Sequence, residues 1–186
     1  MSDKEKTPPP STLAALLKEK PKRGRPPHAV SRQNVYVALT QNQKAQIKEL
    51  ATKLPKGIVR ADVPDLAITI LSARMEALRR AVSGRDREIP EGITDLESLY
   101  LLWDIPIPND KDVPRKWTSV RLSPQPAIEL GRVQGMLYAV FSATRSEAFS
   151  LGLDLLDEFI KGVLPQLEIE ACDLAAFRQI IIGNYL

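Results

Sequence analysis

The sequence predicts a mainly α-helical chain with two short strands, organised as two copies of one strand–helix–helix unit. Three observations predict it. The chain resembles itself, at low identity, across its two halves. Each copy opens on a segment of hydrophobic period two and continues into segments with a period near 3.6. The second helix of each copy is apolar over most of its circumference, so it needs more cover than one copy supplies. A chain of 186 residues, 44% apolar and 26% charged, is long enough to bury a core from both.

The first strand starts at "VYVALT", with Val35, Val37 and Leu39 on one face and Tyr36, Ala38 and Thr40 on the other. Its counterpart lies 83 residues on, where Thr118, Val120 and Leu122 alternate with Trp117, Ser119, Arg121 and Ser123. A helix follows each strand. Thr40 and Gln43 have the spacing of a capping box, and Ser123 precedes Pro124, a residue suited to a first helical position. Ile47, Leu50, Ala51 and Leu54 then keep an i, i+3, i+4, i+7 stripe until "LPKG" ends the first helix. The second helices match at an offset of 85 residues, which two extra residues in one connection explain. Thr144 to Glu147 is a capping box, and Asp62-Val-Pro-Asp65 is its counterpart with a proline in the first turn. Leu66, Ile68, Ile70, Leu71, Met75 and Leu78 form the apolar body of one helix. Phe149, Leu151, Leu153, Leu155, Leu156, Phe159 and Ile160 form that of the other.

Between the copies, "TDLESLYLLW" reads as a short amphipathic helix with a Thr94/Glu97 capping box, and "IPIPNDKDVP" as an extended return. After residue 161 a further helix is expected, with Leu167, Ala171, Leu174, Phe177 and Ile181 covering the core or docking a partner. The expected organisation is a disordered basic arm over 1–31, a first unit over 32–82 and a linker over 83–116. A second unit over 117–161 and a C-terminal helix over 162–186 complete it, both units forming one globular domain.

The formal net charge of +3 hides an asymmetry. Residues 1–60 carry 13 Lys/Arg against 4 Asp/Glu, whereas 61–116 carry 8 against 11 and 117–186 carry 5 against 8. Positive potential concentrated in one third of a chain points to nucleic acid or an acidic membrane surface. No apolar run approaches the length of a membrane span, and no signal peptide is evident. The single cysteine, Cys172, allows no disulfide within the chain and suits a cytoplasmic location. With one Cys and one His, His28, there is no metal-ligand cluster, and no phosphate loop or nucleophile–base motif occurs. No enzymatic activity, catalytic residue, metal or cofactor is expected. Asp154, Asp157 and Glu158 read as a solvated helix face.

A strand, a capped helix and a second apolar helix opened by "ATRSEAFSLGLDLLDEFI" resemble the ribbon-helix-helix family. The stretch "IVRADVPDLAITILSARMEAL" is the weaker match, with Pro64 where that pattern usually has an apolar side chain. The resemblance covers residues 33–80 and 116–161. It implies that the two strands pair into an antiparallel ribbon that enters the DNA major groove over a shared four-helix core. Both halves would sit here in one chain, a tandem pseudodimer. That arrangement is similar in architecture to the single-chain virulence proteins of tumour-inducing plasmids that bind a T-DNA transfer enhancer.

On such a ribbon the outward side chains meet base edges. These are Tyr36, Ala38, Ser119 and Arg121, with Asn34 and Trp117 at the rim; the alternative is that they are simply solvent-facing. Arg121 is the residue best suited to reading guanine. Thr144, Arg145 and Ser146 open a helix, where free N–H groups favour a phosphate, and Arg60 occupies the matching place in the first copy. Upstream, Arg23-Gly24-Arg25-Pro26 resembles the core of an AT-hook, and with Lys22 it would form an arm in the adjacent minor groove.

The resemblance thus implies a site-specific protein of double-stranded DNA, nucleoid or plasmid associated. It would serve as an accessory factor in transfer (conjugation, T-DNA transfer), partition or copy control, alongside other proteins of a DNA-processing complex. The protein would be a monomeric pseudodimer able to associate further on DNA. Alternatives are a chromosomal transcriptional repressor or antitoxin of the same fold, or a protein-interaction scaffold that has lost DNA binding.

Overall fold

The computed structural model describes residues 31–82, 89–110 and 112–186. Among these residues the chain runs β1 (Gln33–Leu39), α1 (Gln41–Lys53), α2 (Val63–Ala81), α3 (Leu96–Leu102), β2 (Lys116–Leu122), α4 (Pro124–Phe141), α5 (Arg145–Gly162) and α6 (Leu174–Tyr185). Short 3-10 turns occupy Arg60–Asp62 and Leu164–Gln166. The chain is therefore mainly helical with one two-stranded antiparallel sheet, and the order strand, helix, helix occurs twice.

The sheet joins strands more than eighty residues apart in sequence. Gln33 lies opposite Leu122 and Leu39 opposite Lys116. This register puts Tyr36 directly opposite Ser119, its equivalent at the repeat offset. Asn34 faces Arg121 and Ala38 faces Trp117, two pairs that interchange under the same offset. The pairing is thus symmetric in register about Tyr36 and Ser119. Val37, Leu39, Val120 and Leu122 are buried on one face, which fixes the register, since a one-residue slip of either strand would turn its own pair out to solvent.

Local signals set most helix starts, though not all in the expected way. Thr40 and Gln43 close a reciprocal capping box at α1, and Thr144 and Glu147 close another at α5. Ser123 precedes Pro124 at the first position of α4, but its hydroxyl does not cap that helix. It donates instead to Asp65 Oδ2 of α2 at 2.6 Å, and the Ser123 backbone N–H donates to Asp65 Oδ1 at 2.9 Å. The start of α2 is a 3-10 turn rather than a capping box on the helix: Asp62 Oδ2 accepts from Val59 N–H at 2.8 Å. Two further helix boundaries need correction. The cap of α3 is Asp95, which accepts from the Ser98 N–H, and not Thr94. The last helix begins only at Leu174, capped by Asp173, so the exposed Leu167 and Ala171 lie outside it. The intervening chain is drawn to the end of α1 instead. There Lys56 N–H donates to Glu170 O, and Cys172 N–H to Lys56 O, each at 3.0 Å.

The core sits between α2 and α5, which cross where Gly152 meets Ala67. A Cβ on Gly152 would lie 2.6 Å from the Ala67 carbonyl oxygen, so the two backbones touch. These residues are equivalent at the 85-residue offset, and the crossing is the centre of the helical body as Tyr36 and Ser119 are the centre of the ribbon. α6 covers the open side of α2. Phe177 and Ile181 are fully buried, with Phe177 edge-on to Phe159 at 6.1 Å between ring centroids. Arg178 Nε donates to Thr69 Oγ1 at 2.9 Å, and the Arg74 guanidinium lies 4.3 Å from the Tyr185 ring centroid.

Asp154 is not part of a solvated face, contrary to expectation. α3 packs over it: Tyr100 Oη donates to Asp154 Oδ2 at 3.1 Å, and Gln46 Nε2 of α1 donates to Oδ1 at 3.1 Å. Asp157 and Glu158 remain at the surface side and pair with Lys161 at 2.7 and 3.3 Å. Burial raises the Asp154 carboxyl above its usual range, against those two hydrogen bonds. The native protein therefore holds this proton to higher pH than the unfolded chain, and stability falls as pH rises through that interval. Asp154→Asn should match the parent below the ordinary carboxylate range and exceed it in urea midpoint at neutral pH. Parallel stability–pH profiles for the two proteins would refute the assignment.

Candidate nucleic-acid interface

The face of the ribbon opposite the core carries the six residues singled out for base contact. Tyr36 is 60% exposed and Trp117 75% exposed. Asn34, Ser119 and Arg121 are also exposed, while Ala38 is half-buried. Tyr36 and Trp117 are diagonal neighbours across the strands, and Asn34 sits directly opposite Arg121. The six side chains form one continuous strip of mixed chemistry: two aromatic platforms, one guanidinium fork, an amide and a hydroxyl. Donors, acceptors and apolar surface in that combination are what base edges and thymine methyls require.

The ribbon is held rigidly against the body, and several polar groups nearby are committed to that task. Ser146 is buried, and its hydroxyl accepts the Ala38 backbone N–H at 2.8 Å. A phosphate at the start of α5 would therefore meet backbone N–H groups and the exposed Arg145, not the Ser146 side chain. Thr144 is exposed, with its hydroxyl donating to Glu147 Oε2 at 2.8 Å inside the capping box. On the other side, Gln43 Nε2 donates to Ser150 Oγ at 2.9 Å, so a side chain of α1 locks α5. At the equivalent joint Ser123, just before α4, binds Asp65 of α2. The same mechanical link is built from different residues in the two halves.

Arg32, at the edge of β1, bonds to the Ala61 carbonyl and to Asp62, and lies 3.6 Å from Asp65. It holds the strand to α2 and is not free for an external anion. Arg60, in the turn before α2, is exposed and lines a groove with Arg121 of β2 and with Lys44 and Lys48 of α1. Sequence reasoning missed the two lysines. Their signal was present, because they are four residues apart on one helix face while the nearby Glu49 pairs with Lys53 at 2.7 Å. The segment Lys22, Arg23, Gly24, Arg25 and Pro26 lies outside the described residues.

Among the described residues no group of three or more His, Cys, Asp or Glu side chains is placed to hold a metal ion. Cys172 is half-buried beside Asp173, and burial pushes its thiol upward. No described helix is long and apolar enough to cross a membrane. The chain matches no protein-family model, no curated protein and no solved structure.

Proposed function

We propose that the protein is a site-specific binder of double-stranded DNA, a tandem ribbon-helix-helix pseudodimer that inserts its two-stranded ribbon into the major groove. The observation that carries this reading is the register of the ribbon. Repeat-equivalent residues Tyr36 and Ser119 pair at its centre, and Asn34, Tyr36, Trp117, Ser119 and Arg121 stand exposed on its outer face. A ribbon of this width fits the major groove, where each base pair presents a distinct pattern. Because Ala38 and Trp117 differ from their equivalents Arg121 and Asn34, the preferred site is non-palindromic. The resemblance further favours an accessory role in DNA transfer, partition or copy control.

Selection of bound sequences from a random pool, followed by binding measurements on the recovered site, tests the reading. Arg121→Ala should weaken binding by about 1–3 kcal/mol and relax preference at one base pair, the behaviour of a bidentate guanine contact. Recovery of a perfect inverted repeat would contradict the asymmetric readout. Failure to bind any duplex with a steep salt dependence would favour a scaffold role over DNA binding.

A further inference from the structure

Resting on the DNA-binding reading above, we infer that the protein grips DNA from one side. The groove between α1, the Arg60–Asp62 turn and β2 is a binding site for one phosphodiester strand, and the equivalent surface across the ribbon is not. Lys44, Lys48 and Arg60 converge on this groove, and Arg121, the base-reading side chain, stands at its ribbon edge. None of the four forms an ion pair among the described residues. The acidic groups close to them are engaged elsewhere: Glu49 by Lys53, Asp62 by Arg32, and Asp65 by Ser123. Four cations in one concave surface, with no ion-pair partner among the described residues, create a local positive field that a polyanion neutralises.

The other side differs position by position. At the two repeat offsets the equivalents of Lys44, Lys48, Arg60 and Arg121 are Ala127, Gly131, Arg145 and Ala38. At these equivalent positions four cations stand against one, and α4's own Arg132 is engaged by Ser72 and Glu76. The outward face of α4 carries exposed Ile128 and Tyr138, and nothing lies within 4 Å of where a Gly131 side chain would begin. That face is built for neither phosphate contact nor internal packing.

The asymmetry has a functional meaning. A ribbon with a symmetric register can enter a major groove in two opposite directions. Base contacts at Arg121 distinguish them only once the correct site is found. A one-sided phosphate anchor favours one direction at the approach, because each phosphate neutralised releases counterions from that strand alone. The protein therefore sits on its site with defined polarity, presenting α4 to the same flank each time.

The test uses the full chain and the site recovered by selection. Fluorescence anisotropy over a range of salt concentrations compares the parent with K44Q/K48Q/R60Q and with R145Q. The triple variant should reduce the slope of log K against log salt by about 2–3, and R145Q by about 1 or less. Phosphate-ethylation interference on the parent protein should cluster on one side of the ribbon axis. An unchanged slope in the triple variant, with parent binding intact, overturns the one-sided grip and leaves DNA binding standing. Evenly distributed interference does the same. A parent protein with no salt-dependent duplex binding removes both readings. Thermal unfolding of the variants, expected to match the parent, confirms that the surface substitutions report on binding.

Discussion

Replacing Asp65 with alanine is expected to cost about 2–3 kcal/mol of stability, because it removes a buried acceptor and leaves its part-buried partners unsatisfied. Asp65 lies in the first turn of α2 and is fully buried. Its two oxygens accept the backbone N–H and the hydroxyl of Ser123, at 2.9 and 2.6 Å, and Arg32 approaches to 3.6 Å. One carboxylate thus joins the end of β2, the start of α4, the start of α2 and the residue before β1. Removing it strands the Ser123 N–H, and the Arg32 guanidinium loses one of its two carboxylates. Asp65→Asn retains one acceptor and should cost less, on the order of 1–2 kcal/mol. Urea unfolding monitored by far-UV circular dichroism would show the difference as a lower midpoint at unchanged slope. A loss under about 1 kcal/mol for the alanine variant would mean that the joint is redundant.

Gly152 gives the second large effect, and its sign depends on where the glycine sits. A side chain there would meet the Ala67 carbonyl oxygen at 2.6 Å and its carbon at 3.1 Å. Backbone cannot rotate away as a side chain can, so α2 and α5 must separate. Gly152→Val should cost about 3 kcal/mol or more, since overpacking at a helix crossing is spread into the surrounding core. Adding Ala67→Gly should not rescue it, because the obstruction is the carbonyl and the Ala67 Cβ is 3.6 Å away. By contrast Gly131 and Gly135 on α4 have open space around them. Alanine at either position should stabilise by roughly 1 kcal/mol through helix propensity alone. Calorimetry on the three variants would separate the cases; a stabilised Gly152→Val protein would refute the crossing geometry.

Much of the architecture was legible along the chain because it depends on local rules. The alternation around Val37 and Val120, the boxes at Thr40 and Thr144 and the broad apolar faces of α2 and α5 each follow from a few neighbouring residues. Where a local rule failed, a distant partner had overridden it. Ser123 has the sequence position of a cap, but its hydroxyl donates to Asp65 and makes no cap hydrogen bond to α4. Asp154 has the look of a solvated carboxylate until α3 folds over it and Tyr100 donates to it. Leu167 and Ala171 keep a helical spacing with Leu174, yet Lys56 donates to the Glu170 carbonyl and accepts from the Cys172 N–H, and these backbone hydrogen bonds pull this segment out of any helix.

The candidate site divides in the same way. The outward side chains of each strand could be named from period two alone, since alternation is a property of one strand. Which of them face each other could not. The pairs Asn34 with Arg121 and Tyr36 with Ser119 depend on register, and register is decided by burying Val37, Leu39, Val120 and Leu122 together. The grouping of Lys44 and Lys48 with Arg60 and Arg121 depends on packing three elements around one groove. By itself the sequence determined the order strand, helix, helix in both halves, the capping boxes at Thr40 and Thr144 and the chemistry of the ribbon's outer face, because each is written in residues a few positions apart. The tertiary structure alone decided the strand pairing, the backbone contact at Gly152 and the one-sided basic groove, because these exist only where buried surfaces bring remote segments together.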